Sequence, residues 1–211
     1  YTSASDMNAL ILVDIQNDFI PGGSLAVPLG DQIIPLVNEL QRSFELVVAT
    51  QDWHPGNHKS FASNHAGKKP FEKILLHGLD QVLWPDHCIQ GTSGAKFSSN
   101  LNMNNVEAIF RKGMDPEIDS YSAFYDNGYK RSTGLAGYLR ERKVVKIYVC
   151  GLAADYCVFY TAKDALKENF ETYIIEDATR AIDPKEFEKA KDEILTSGGQ
   201  IIKSEMLYRH L

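Results

Sequence analysis

Short apolar runs rich in β-branched residues alternate along this chain with segments of helical periodicity. Near-continuous apolar runs of this kind are typical of strands buried on both faces of a parallel sheet. Their alternation with helices predicts an α/β fold with right-handed crossovers. We expect three α/β/α layers around a six-stranded, mainly parallel sheet. The runs lie at residues 10–13, 46–49, 108–110, 145–149, 172–175 and 200–202.

Four of the intervening segments place their apolar residues on one helical face. These segments cover residues 33–44, 135–139, 158–166 and 187–195. The last of them has Asp183 and Pro184 before it and two glycines after it, which are start and stop signals for a helix. No repeat or linker interrupts the 211 residues. At about 150 residues per domain, we expect a single domain over residues 1–211.

The charge balance and the cysteine count restrict the classes of partner. With 28 acidic and 22 basic residues, the net charge is -6. We therefore expect no nucleic acid and no membrane as partners. Three cysteines suit a reducing compartment better than a disulfide framework. The apolar run near the amino terminus is too short for a signal peptide, so we expect a soluble, cytoplasmic protein.

Reactive side chains follow four of the predicted strands. Asp14 follows the first, Asp52 and His54 follow the second, and Lys112 follows the third. Cys157 comes shortly after the fourth. In an open α/β sheet, ligands bind beyond the carboxyl ends of the strands. We therefore expect these side chains to converge at one edge of the sheet.

Cys157 is the candidate nucleophile. Its predicted position is the opening turn of a helix, where the helix dipole favours a thiolate. Lys112 would lower the thiol pKa further, and Asp14 could accept the proton, as covalent acyl transfer requires. The alternatives are a small buried hydrophobic residue for Cys157, a turn-bonding acid for Asp14 and a surface lysine for Lys112.

Asp52 and His54 are two residues apart, which in extended backbone places both side chains on the same face. His87, in the segment Trp-Pro-Asp-His, is the candidate third ligand. An oxygen donor with two imidazoles suits one divalent ion, Zn²⁺, Fe²⁺ or Mn²⁺. The alternative for each histidine is a hydrogen bond to loop backbone. His58 is four residues after His54, but Pro55-Gly56 between them prevents the helix that would make the two a ligand pair.

Taken together, five ordered segments of the chain resemble the nicotinamidases of the isochorismatase-like cysteine hydrolase superfamily. The segments are residues 12–19 (LVDIQNDF), 50–55 (TQDWHP), 84–88 (WPDHC), 111–113 (RKG) and 151–158 (GLAADYCV).

The resemblance implies hydrolysis of nicotinamide to nicotinate and ammonia through a cysteine thioester, in NAD salvage, and hydrolysis of pyrazinamide as well. Asp14 would be the base, Cys157 the nucleophile and Lys112 the stabilising cation. The amides of Ala153 and Cys157 would form the oxyanion hole, beside a cis peptide between Leu152 and Ala153.

The resemblance also implies that the metal ion, zinc by preference, binds the ring nitrogen of the substrate. Phe19, Trp84 and Tyr121 are our candidates for the apolar ring pocket, with ordinary core packing as the alternative. His58 is expected to lie outside the direct ligands of the ion, and Asp155 to support the active-site loop. A homo-oligomer is compatible with the sequence.

Two other functions compete with this one. The first is another amidase or isochorismatase-like hydrolase of the same fold, although such relatives need not carry the Asp-x-His and Trp-Pro-Asp-His segments. The second is an inactive scaffold or metal-binding protein, against which the intact set of Asp14, Lys112 and Cys157 argues.

Overall fold

A computed structural model describes residues 6–209, so residues 1–5 and 210–211 of the predicted domain lie outside the described residues. Six strands form one sheet in the order β5-β2-β1-β6-β7-β8, and every neighbouring pair is parallel. The predicted six-stranded α/β fold is therefore confirmed. The strands are β1 (Met7–Val13), β2 (Leu46–Asp52), β5 (Val106–Lys112), β6 (Val144–Leu152), β7 (Glu171–Arg180) and β8 (Gln200–Ile202).

Helices cover both faces of this sheet and complete the three layers. On β1, Ile11 and Val13 face one buried apolar cluster, and Leu10 and Leu12 face the other. Helix α1 contributes to the second cluster, and the other three helices contribute to the first. None of the helices in the described residues is long and apolar enough to cross a membrane. The helices are α1 (Ile34–Leu40), α2 (Leu135–Glu141), α3 (Phe159–Lys167) and α4 (Pro184–Thr196).

The two central strands approach closely at their carboxyl ends because β6 carries a glycine there. Gly151 pairs with Val13 of β1 and has a φ of +114°. A Cβ atom at this position would lie 2.2 Å from the carbonyl oxygen of Val13. A side chain at Gly151 would therefore push apart the strand ends that precede Asp14 and Cys157.

Several details differ from the sequence-based expectation. Strand β2 continues to Asp52 and β5 to Lys112, so these residues end strands rather than follow them. Ile109 is 49% exposed because β5 is an edge strand with only one covered face. Leu195 is 53% exposed, since the buried face of α4 is formed by Phe187, Ala190 and Ile194.

An antiparallel hairpin lies in the long connection between β2 and β5, where the sequence analysis predicts no strand. It consists of β3 (Lys73–Leu76) and β4 (Leu79–Val82). Most residues of both strands are partly or fully exposed. The strands are also short, so they leave no periodic pattern of apolar residues by which the sequence could reveal them.

Candidate active site

Asp14 is fully buried directly after β1, in a left-handed backbone conformation with a φ of +48°. The hydroxyl of Thr50 donates a 2.7 Å hydrogen bond to Oδ1 of Asp14 and accepts one of 3.2 Å from its amide. Burial raises the pKa of Asp14, whereas the charge of Lys112 lowers it. The carboxyl group is thus held in place by β2 and is easily protonated for an aspartate.

Lys112 contacts the other two predicted catalytic residues, Asp14 and Cys157, and also Asp52. Its Nζ lies 2.7 Å from Oδ2 of Asp14, 3.3 Å from Oδ1 of Asp52 and 3.4 Å from Sγ of Cys157. It also donates to the carbonyl of Ser120 at 3.0 Å. Burial alone would lower the pKa of Lys112, but the carboxylates of Asp14 and Asp52 raise it well above its ordinary value. The lysine is therefore a permanent cation and not a surface residue.

Cys157 lies in a π-helical turn, Ala154–Val158, that leads into α3. Burial raises the pKa of the Cys157 thiol well above its ordinary value, although Lys112 acts to lower it. The expected lowering of the thiol pKa is therefore not found, because desolvation outweighs the effect of Lys112. Asp14 and Cys157 both contact Nζ of Lys112, at 2.7 and 3.4 Å, so the carboxylate lies close to the thiol.

The turn before Cys157 contains the expected cis peptide bond, between Leu152 and Ala153. The carbonyl of Ala153 accepts hydrogen bonds from the amides of Tyr156 and Val158, at 3.2 and 3.1 Å. Ala153 and Cys157 both line the same cavity. Their amides are thus located in one turn at the cavity wall.

Asp155 ties this turn to the chain after β7. Its two carboxylate oxygens accept hydrogen bonds from the amides of Ile182 and Asp183, each at 2.9 Å. Burial raises the pKa of Asp155, and these amide bonds oppose the rise. The contacts are those of a residue that supports the loop.

Asp52, His54 and His87 are buried, and their ligand atoms lie within 4.8 Å of one another. Oδ2 of Asp52 is 2.8 Å from Nε2 of His54 and 3.3 Å from Nε2 of His87. Nδ1 of His54 lies 2.7 Å from the carbonyl oxygen of Gly113, and Nδ1 of His87 lies 2.7 Å from that of Pro85. These carbonyls require a proton on Nδ1, so the Nε2 lone pairs point toward Asp52, as metal ligation requires.

Two neighbouring residues keep this group open and oriented. Gly113 has a φ of +71°, and a Cβ there would lie 2.4 Å from Cε1 of His54 and 3.1 Å from Oδ1 of Asp52. Gln16 accepts from the amide of Asp52 and donates to its carbonyl, both at 2.8 Å. The three side chains therefore fit a divalent ion in donor type, in orientation and in space.

His58 packs beside this group, with its ring centroid 4.2 Å from that of His54. Its Nδ1 is 2.7 Å from the hydroxyl of Ser60, and its Nε2 is 3.2 Å from the carbonyl of Ile118. Burial lowers the pKa of His58 to about 4. Both ring nitrogens thus contact protein groups outside the Asp52–His54–His87 group.

A small cavity of about 30 Å³ is lined by Asp52 and His87 of that group and by Cys157. The three predicted pocket residues, Phe19, Trp84 and Tyr121, all line it. The indole Nε1 of Trp84 donates to the hydroxyl of Tyr121 at 3.3 Å. The candidate nucleophile and two of the three candidate metal ligands therefore line one aromatic-walled space, and Lys112 contacts both Cys157 and Asp14.

The isochorismatase domain model matches residues 8–206. The chain belongs to this family. A nicotinamidase from Acinetobacter baylyi is 52% identical over 93% of this chain and 92% of its own length. The structure of an Acinetobacter baumanii nicotinamidase and pyrazinamidase matches with a TM-score of 0.94 and 50% identity, covering 97% of this chain and all of that chain. A Pyrococcus horikoshii pyrazinamidase in complex with zinc matches with a TM-score of 0.78 and 41% identity, over 93% and 99% of the two chains.

Sequence reasoning missed four residues of the cavity wall in this family member, Leu25, Asp119, Tyr156 and Ile182. Tyr156 packs edge-to-face on Trp84, with ring centroids 4.9 Å apart. Its position next to Cys157 was the available signal. Asp119 also lines the cavity, but it comes from the irregular segment 113–133, where no pattern distinguishes one acid from another.

Proposed function

We propose that the chain is a single isochorismatase-type domain that hydrolyses nicotinamide to nicotinate and ammonia through a thioester on Cys157. One observation carries this proposal. The side chains of Asp14, Lys112 and Cys157 meet beside one aromatic cavity, which Cys157 lines together with Asp52 and His87 of a buried Asp-His-His group. The nicotinamidases among its relatives, at up to 52% identity, support the same activity.

Acylation begins with a proton transfer. Asp14 takes the proton from Sγ of Cys157, whose raised pKa makes a base necessary. The sulfur then attacks the carboxamide carbon and forms the C–S bond. Lys112, 3.4 Å from Sγ, offsets the negative charge on the sulfur as the proton leaves.

The carbonyl oxygen of the substrate becomes negatively charged when the sulfur attacks. The amides of Ala153 and Cys157 are the proposed donors to this oxyanion, since both residues line the cavity in the turn that carries the nucleophile. Asp14 next gives its proton to the departing nitrogen. The C–N bond breaks, and ammonia leaves a thioester on Cys157.

Deacylation uses the same base. Asp14, now ionised again, takes a proton from a water molecule, and the resulting hydroxide attacks the thioester carbon. The C–S bond breaks, nicotinate is released, and Cys157 recovers its proton from Asp14. The 2.7 Å contact with Lys112 keeps the carboxylate of Asp14 in place through both half-reactions.

Asp52, His54 and His87 are the residues that would hold a divalent ion, and zinc is the ion we propose for them. When bound, the ion would offer a Lewis-acidic position for the pyridine nitrogen. The aromatic rings of Phe19, Trp84 and Tyr121 would hold the flat heterocycle between the ion and Cys157. Pyrazinamide presents a nitrogen in the same position relative to its carboxamide, so we propose it as a second substrate.

The deciding experiment measures ammonia released when the purified protein is incubated with nicotinamide. Stoichiometric nicotinate and ammonia are the expected products. A protein that is folded and metal-loaded but releases no ammonia would refute the proposal. Release from unrelated aliphatic amides with higher kcat/KM would favour a different amidase.

A further inference from the structure

Asp119 is a buried carboxylate of the cavity wall to which the proposed mechanism gives no role. Its side chain lines the cavity together with Asp52, His87 and Cys157, and the residue is only 3% exposed. Oδ1 accepts from the amide of Ser120 at 2.8 Å, and Oδ2 from Nε2 of Gln81 at 2.9 Å. A carboxylate has about four acceptor positions, so these two bonds leave capacity for donors in the cavity.

The position of Asp119 relative to the histidines indicates how it could act. A carboxylate oxygen of Asp119 lies within 4.8 Å of ligand atoms of His54 and His58. These three side chains form a second group, which shares only His54 with the group of Asp52, His54 and His87. Bond lengths of about 2.1 Å place two ligands of one ion at most about 4.2 Å apart. A direct ligand would therefore fall in the same group as Asp52 and His87. Asp119 therefore lies outside the set of direct ligands.

The charges of the site lead to the same residue. Asp52 and Asp119 are buried carboxylates of the cavity wall, Asp14 is a buried carboxylate next to it, and the ammonium of Lys112 contacts Asp14 and Asp52. With all four ionised, the cluster has two negative charges in excess, which a divalent ion balances. Without the charge of Asp119, the loaded site would carry an uncompensated positive charge in a buried environment, which is costly.

We propose that Asp119 accepts a hydrogen bond from a water ligand of the divalent ion and thereby strengthens binding of that ion to Asp52, His54 and His87. Asp119 is a positioning residue, since it acts through the water and not on the reacting atoms. The inference rests on the proposed function, from which it takes the metal ion.

The test measures zinc affinity and not turnover. Metal-free parent protein and Asp119→Asn compete with a chromophoric chelator for Zn²⁺. Removing an outer-shell partner of this kind lowers metal affinity by about 10- to 100-fold, and we expect a loss in that range. Asp80→Asn is the matched control, because it removes the same charge from an exposed position of β4 and should leave zinc affinity unchanged.

Two further measurements keep the test decisive. Thermal unfolding of the metal-free proteins checks that the substitution is tolerated, and Asp119→Ala replaces Asp119→Asn if the latter does not fold. The absorption spectrum of the Co²⁺-loaded variant should match that of the Co²⁺-loaded parent, because the protein ligands are unchanged. A changed coordination spectrum would make Asp119 a direct ligand and overturn the water-mediated role.

Failure of the inference and failure of the proposed function are distinguishable. Equal zinc affinity of the parent and Asp119→Asn, with tight binding by both, overturns the role of Asp119 and leaves the metal site intact. A parent protein that binds no zinc overturns both the role of Asp119 and the proposed zinc site.

Discussion

Nζ of Lys112 lies 2.7 Å from Oδ2 of Asp14, and both side chains are almost completely buried. Burial raises the pKa of Asp14, and the adjacent ammonium opposes that rise. Because the same Nζ is 3.4 Å from Sγ of Cys157, one cation contacts both the proposed base and the proposed nucleophile. The proposed proton transfer between them would therefore take place within a single buried charge cluster.

Replacement of the nucleophile should abolish turnover and leave the fold intact. We expect Cys157→Ala to lower kcat by about 10⁴-fold or more, measured as ammonia release, with little change in thermal unfolding. Cys157→Ser should be nearly inactive too, since a serine hydroxyl is poorly ionised by a carboxylate base. Cys150→Ala, in β6 outside the cavity lining, is the control and should retain activity. Substantial turnover by Cys157→Ala would exclude the thioester.

Removal of two proposed ligands should remove the metal. The parent protein is expected to contain about one metal ion per chain by elemental analysis. The double variant His54→Ala, His87→Ala should contain almost none, because a single carboxylate holds a divalent ion weakly. His77→Ala removes an exposed histidine that contacts Glu117 and should keep the full metal content. Near-parental metal in the double variant would refute the ligand assignment.

Activity should fall at low pH as Asp14 becomes protonated. Because burial raises the pKa of Asp14, the acid limb of kcat/KM should lie above the ordinary carboxyl value of 3.8. The Thr50 hydroxyl stabilises the ionised form and lowers this pKa. Thr50→Val should therefore move the acid limb to higher pH, by about 0.5 to 1 unit for one hydrogen bond.

The pH profile of a second threonine variant is the control for this shift. Thr172 is equally buried, but its hydroxyl donates to the carbonyl of Phe170, away from the cavity. Thr172→Val should leave the acid limb where it is in the parent. An unchanged limb in Thr50→Val, or a shift to lower pH, would count against Asp14 as the titrating base.

Gly113 should tolerate no side chain. In Gly113→Ala the new Cβ would meet the ring of His54 in a backbone conformation with a φ of +71°. We expect a loss of stability of about 1 to 3 kcal/mol in chemical unfolding, together with weaker zinc binding. Gly137→Ala, in α2 with open space around the position, should instead gain about 1 kcal/mol. Zinc affinity equal to that of the parent in Gly113→Ala would contradict the proposed geometry.

Substrate choice tests the position of the ring. Nicotinamide and pyrazinamide both present a ring nitrogen meta to the carboxamide, whereas benzamide has the same shape without it. A site built for a polar partner loses a few kcal/mol when that partner is missing, or about 100-fold or more in kcat/KM. We expect benzamide to be hydrolysed at least that much more slowly. Comparable kcat/KM values for benzamide and nicotinamide would refute the metal-anchored orientation.

The sequence predicted the sheet and the convergence of its strand ends. Apolar runs and the residues after them are local features, so Asp14, Lys112 and Cys157 could be assigned to one edge once a parallel sheet was inferred. The hairpin β3–β4 was missed because its exposed residues lack the burial that produces such a pattern.

The amino-acid sequence by itself determined the fold class, the order of the strands along the chain and the types of reactive group that end them. Only the tertiary structure decided the direction in which the pKa of Cys157 is shifted and the presence of Asp119 at the cavity. The thiol pKa depends on desolvation by segments distant in sequence, which no local pattern encodes. Asp119 reaches the histidines from an irregular segment, and its position follows from packing contacts such as the hydrogen bond with Gln81 in β4.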